Sequence, residues 1–144
     1  MINDKRKVIF VCTGNTCRSP MAEALLKLKL INDGNDNVEV QSRGIAAVDG
    51  QSAAKNAVAV MQDFGCDISS HKALNLSDEE LVTTDKFICM TESHSAVLMS
   101  LGIPKQKIDV LNVSDPFGGD LSVYRESALE IKRKIDDLYV HFKL

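Results

Sequence analysis

Cys12 and Arg18 stand six positions apart in the stretch Val8-Ile-Phe-Val-Cys12-Thr-Gly-Asn-Thr-Cys-Arg18-Ser-Pro-Met-Ala-Glu23. A short apolar run leads into a cysteine, a polar loop follows, and a helix start follows the loop. A thiol placed where backbone N–H groups converge has its anion stabilised, and the same N–H groups can cradle a tetrahedral dianion. The planar Arg18 guanidinium matches a pair of phosphate oxygens. Gly14 is expected to give the loop backbone freedom, and Asn15 to serve as a polar turn residue. Thr13, Thr16, Cys17 and Ser19 complete the loop. Breaking a phosphate ester or phosphoramidate also needs a proton for the leaving group. Asp115, followed by Pro116, Phe117, Gly118 and Gly119, is placed to supply one from a loop. By spacing alone, that aspartate reads first as a turn residue.

These residues need a scaffold. Apolar runs at Lys7 to Val11, Val38 to Gln41, Lys86 to Met90 and Lys107 to Leu111 are short and rich in Val, Ile and Phe, which predicts strands. Helical spacing separates them. Met21, Leu25, Leu28 and Ile31 predict a first helix, with Ser19 as N-cap and Pro20 at its first position. Ala54, Ala57, Val58, Met61 and Phe64 predict a second, closed by Gly65, and Ser77-Asp-Glu-Glu80 reads as the capping box of a short third. A fourth is expected around Ser95 to Leu101. Tyr124, Ala128, Ile131, Ile135, Leu138 and Phe142 form the inner stripe of a long last helix. Strands alternating with helices imply an α/β fold in three layers, a parallel sheet with helices on both faces. Cys12 then lies at the C-terminal end of the first strand, where such sheets open a crevice.

Composition narrows the function. A chain of 144 residues, 44% hydrophobic and 26% charged, is expected to form one domain over residues 1–144. A net charge of -3 supplies no basic footprint for nucleic acid or an anionic membrane. The lead-in Met1 to Lys7 precedes only about five apolar residues, too few for a signal segment, so a cytoplasmic location is expected. Cysteines at 12, 17, 66 and 89 with histidines at 71, 94 and 141 do not make a zinc pattern, and no metal or cofactor is expected. Cys66, Cys89, His94 and His141 read as structural residues. Neither Gly-x-Gly-x-x-Gly nor Gly-Lys-Ser/Thr occurs, which disfavours nucleotide binding.

The stretch Val11 to Glu23 resembles the signature of the low-molecular-weight protein-tyrosine-phosphatase family, and the resemblance extends to Asp115-Pro116 and to Ser69-Ser-His71. It implies a four-stranded parallel sheet in flavodoxin-like order 2-1-3-4. It also implies hydrolysis through a phosphocysteine, with Cys12 as nucleophile, Arg18 on the phosphate, and Asp115 as general acid and then base. Ser19 would hydrogen-bond the thiolate, while Asn15, Ser42 and His71 would hold the loop. Family members can form a protective disulfide between the positions of Cys12 and Cys17.

Thr13, Thr16, Phe117 and the absence of tryptophan leave a thinner and more polar wall than a phenyl ring wants. In these respects the chain resembles the protein-arginine-phosphatase branch, with Thr16 and Phe117 at the substrate rim, so the expected partner is a protein carrying phosphotyrosine or phosphoarginine. Two alternatives compete. Arsenate reductase chemistry needs two further cysteines in a mobile segment, and Cys89-Met-Thr-Glu-Ser-His94 offers one. A phosphocarrier or phospho-binding module would have no need of the acid Asp115.

Overall fold

The computed structural model describes residues 5–142, with side chains to residue 140. The expectations for Met1 to Asp4 and for the side chains of His141 and Phe142 therefore lie outside the described residues. Strands β1 (Arg6–Cys12), β2 (Val38–Gly44), β3 (Lys86–Cys89) and β4 (Ile108–Val110) form one parallel sheet in the order β2-β1-β3-β4. Helices α1 (Arg18–Asn32), α2 (Lys55–Asp63), α3 (Asp78–Thr83), α4 (Glu92–Ser100) and α5 (Leu121–Phe142) connect and cover it. The strand order and the layers are those expected.

The two faces of β1 separate the core into two halves. Val8, Phe10 and Cys12 pack with Met21, Leu25 and Leu26 of α1, Met61 of α2 and Ile131 of α5. Ile9 and Val11 point the other way, toward Leu98 of α4, with Leu81 of α3 at the margin. Period-two alternation along β1 thus assigns the nucleophile candidate to the α1/α5 face. The topological switch falls between β1 and β3, so their C-terminal ends open the crevice in which Cys12 sits.

Three local expectations need correction. Helix α1 begins at Arg18 with Cys17 at the cap position, so Ser19 is not the N-cap and Pro20 is the third helical residue. The ring is tolerated there because the first turn has no intrahelical acceptor for its missing N–H. The buried stripe of α1 runs Met21, Ala22, Leu25, Leu26 and Leu30, leaving Ile31 exposed. Helix α4 starts at Glu92 after Thr91, one turn before the expected Ser95. By contrast, Ser77 and Glu80 cap α3 reciprocally, and Gly65 follows α2 in the left-handed conformation. Among the described residues no helix is long and apolar enough to cross a membrane.

Candidate active site

The loop after β1 is built around Asn15. This residue is completely buried and left-handed, with φ of +56°, a conformation that asparagine tolerates better than most residues. Its side-chain amide donates to Ser19 Oγ at 2.8 Å and to Ser42 Oγ at 3.0 Å, while Oδ1 accepts from the Leu74 N–H at 3.0 Å. His71 Nε2 donates to its main-chain carbonyl at 2.7 Å. Four contacts thus fix one strained residue. Gly14, expected to supply the conformational freedom, is not left-handed; Asn15 takes that role. The Ser42 hydroxyl donates in turn to Glu23 Oε1 at 2.6 Å.

This frame holds the nucleophile candidate. Cys12 is 3% exposed, with Sγ 2.8 Å from Ser19 Oγ and 3.2 Å from the donating Asn15 N–H. Since Ser19 Oγ accepts from the Asn15 amide, its own proton is free to go to sulfur. Two donors then converge on Sγ.

Arg18 is buried where α1 begins, and its guanidinium reaches the loop after β4. Nη1 donates to the Val113 carbonyl at 3.0 Å, and Nη2 lies 3.6 Å from Asp115 Oδ2. The two ends of the site are therefore joined through one side chain. Asp115 is half exposed; its Oδ1 accepts from the Phe117 N–H at 3.0 Å, which makes the turn, while Oδ2 is the atom that faces Arg18. Gly119 is closely packed in this loop. An added Cβ there would come within 2.8 Å of Val123, and its carbonyl accepts from Asn56 at 3.2 Å. Phe117 is 75% exposed at the rim, and Thr16 is half-buried, with its carbonyl taking the Ala54 N–H.

Cys17 faces Tyr124 of α5, with Sγ 3.2 Å from the phenol oxygen. Burial pushes the Cys17 thiol up, against the lowering effect of the Tyr124 hydrogen bond, and burial likewise raises the Tyr124 phenol. Cys12 and Cys17 are both free thiols. Cys89 is completely buried in the sheet and pushed up to about 12 by that burial, which suits an inert core residue.

Several supporting residues were not assigned from sequence. Glu23 had a readable signal, since it lies one helical turn beyond Ser19 on the same face of α1. Gly44 ends β2 so close to the loop that an added Cβ would lie 2.6 Å from the Thr13 carbonyl. His94, read as structural, is buried with Nε2 2.9 Å from Thr13 Oγ1. No local pattern couples positions 13 and 94. Arg43, at the end of β2, pairs with Glu80 of α3 at 2.9 Å and donates to the Ser42 carbonyl at 2.7 Å.

A parallel α/β sheet carrying a cysteine-arginine loop at the end of its first strand, with an aspartate facing that arginine, defines a cysteine-dependent phosphatase. The chain belongs to the family described as low molecular weight phosphotyrosine protein phosphatase, whose model matches residues 7–143. A protein-arginine-phosphatase of Geobacillus stearothermophilus is 34% identical over 142 residues, spanning 92% of this chain and 93% of the relative. The crystal structure of a low molecular weight protein tyrosine phosphatase from T. tengcongensis superimposes with a TM-score of 0.89 at 37% identity, covering 95% of this chain and 99% of the other. A YwlE arginine phosphatase bearing a phosphorylated active-site serine in place of cysteine superimposes with a TM-score of 0.88 at 33% identity, covering 95% of each chain.

Proposed function

We propose that this chain removes phosphate from phosphorylated side chains of proteins, with phosphoarginine preferred to phosphotyrosine. The observation that carries the chemistry is the convergence of Ser19 and the Asn15 N–H on Cys12 Sγ, at the head of a helix whose first residue is Arg18. In the first step, the thiolate attacks phosphorus in line. An S–P bond forms as the P–N or P–O bond breaks, and Asp115 protonates the departing nitrogen or oxygen. Arg18 and the N–H groups of Thr13, Gly14, Asn15, Thr16 and Cys17 hold the equatorial oxygens as charge spreads over them. In the second step, Asp115 takes a proton from water, which attacks phosphorus and releases inorganic phosphate and the thiolate. The relative with a phosphorylated active-site serine supports a covalent intermediate at this position.

Ser42 and His71 act through Asn15, keeping the loop open to the phosphate. A thiol nucleophile beside Cys17 works in a reducing compartment, which favours the cytoplasm. Preference for phosphoarginine draws on the polar side chains of Thr13 and Thr16, on Phe117 as the aromatic residue that follows Asp115-Pro116, and on the arginine-phosphatase relatives. Comparing kcat/KM for one phosphoarginine peptide and one phosphotyrosine peptide, with Cys12→Ser as the blank, tests it. A higher value for phosphoarginine is expected. A higher value for phosphotyrosine would reverse the assignment of substrate while leaving the nucleophile in place.

A further inference from the structure

Thr13 follows the nucleophile directly, is exposed, and meets His94 across the crevice from the head of α4. The hydrogen bonds around His94 fix its proton. Nδ1 lies 3.2 Å from the main-chain N–H of Thr91, which can only donate, so Nδ1 is an acceptor and the ring proton sits on Nε2. Nε2 therefore donates to Thr13 Oγ1 at 2.9 Å. Burial, reinforced by the Arg18 charge and opposed by that of Asp115, holds the ring below the usual histidine range and keeps it neutral at pH 7. Thr91 Oγ1, 3.1 Å from the same Nδ1, completes the clamp.

One lone pair of Thr13 Oγ1 is thus committed to His94. The other lone pair and the hydroxyl proton remain for whatever enters the crevice. A guanidinium leaving group presents several N–H donors and needs acceptors, while a phenyl ring presents none. An apolar side chain in place of Thr13 would offer the guanidinium nothing.

We propose that His94 is a positioning residue that fixes the Thr13 hydroxyl as a hydrogen-bond acceptor for the departing guanidinium, so that the pair selects phosphoarginine over phosphotyrosine. This rests on the phosphatase reading of Cys12. Thr13 is the group that touches substrate, and His94 acts through it. A side chain required only for folding would lower both activities together, whereas this pair shifts their ratio.

A double-mutant cycle reads that ratio directly. The variants are Thr13→Val, His94→Leu, both together, and His94→Gln, which retains an N–H donor. Each is assayed on a phosphoarginine and a phosphotyrosine peptide of the same sequence. In Thr13→Val and in His94→Leu, the ratio of kcat/KM on phosphoarginine to that on phosphotyrosine is expected to fall about tenfold, the scale of one hydrogen bond. The double variant should fall no further than either single one, and His94→Gln should recover part of the ratio. An unchanged ratio in Thr13→Val, whose exposed site cannot be confused with a folding defect, would overturn the proposal. So would losses that multiply in the double variant. Turnover of neither peptide by the unaltered protein is a separate outcome: it would overturn the phosphatase reading, and this inference with it.

Discussion

At the scale of single residues, the site is a set of donors arranged around one sulfur and one left-handed asparagine. Asn15 makes three side-chain hydrogen bonds from a fully buried position, so its loss removes the partners of Ser19, Ser42 and the Leu74 N–H together. Asn15→Ala is expected to cost about 2–4 kcal/mol, from unsatisfied buried groups and a left-handed backbone that alanine resists. Urea unfolding checks this. Asp115→Asn cannot give up a proton to a poor leaving group, and its kcat on peptide substrates should drop about a hundredfold or more in steady-state assays. His94 carries a pH signature of its own. Its folded value is depressed below the unfolded value of about 6.5, so the stability it contributes is complete above that pH and is lost as pH falls through the folded value. Arg18 and Asp115 face it from α1 and from the loop after β4, and Glu92 lies on its own helix. Unfolding free energy measured between pH 7.5 and 5 should decline toward acid, and the decline should shrink in His94→Gln.

At the scale of elements, the end of β2 props the phosphate loop. The Ile45 N–H donates to the Cys12 carbonyl and the Ala46 N–H to that of Thr13, both at 3.0 Å, with no room for a Cβ at Gly44. Gly44→Ala should destabilise the fold by about 1–3 kcal/mol and lower turnover as Thr13 and its neighbours shift. A thermal melt read alongside kcat/KM would check both effects. The strands and their alternation were legible because β1 buries both of its faces and reads as an uninterrupted apolar run. The start of α1 was not. Ser19 and Pro20 look like a cap and a first helical residue, yet the Ser19 hydroxyl is used on Cys12, and Arg18 has already entered the helix. A local capping preference yielded there to the geometry of the site. The reciprocal cap of α3 followed the pattern, its Glu80 carboxylate having room for both the Ser77 N–H and Arg43.

At the scale of the whole molecule, parallel topology gathers segments distant in sequence at one edge of the sheet. The ends of β1, β2 and β3 and the loop after β4 all open there. Cys12 and Arg18 stood out as a short pattern, a cysteine loop running into a helix start, whereas Asp115 reads by spacing as a turn residue and was singled out by the family resemblance. The link between Thr13 and His94 was not legible, since it exists only once α4 is folded across the crevice from the loop. Arg43 is similar, since its partner Glu80 on α3 comes beside the C-terminal end of β2 only in the folded chain. Turnover by this whole assembly depends on Cys12 carrying the phosphate between substrate and water. Rapid chemical quench of the protein with a phosphopeptide, followed by mass spectrometry of the Cys12 peptide under conditions that preserve thiophosphate, tests it most directly. A phosphate adduct on Cys12 that rises before inorganic phosphate, decays with turnover and is missing in Cys12→Ala is the predicted result. Phosphate release with no adduct on Cys12 at any time, or undiminished turnover in Cys12→Ser, would contradict the account.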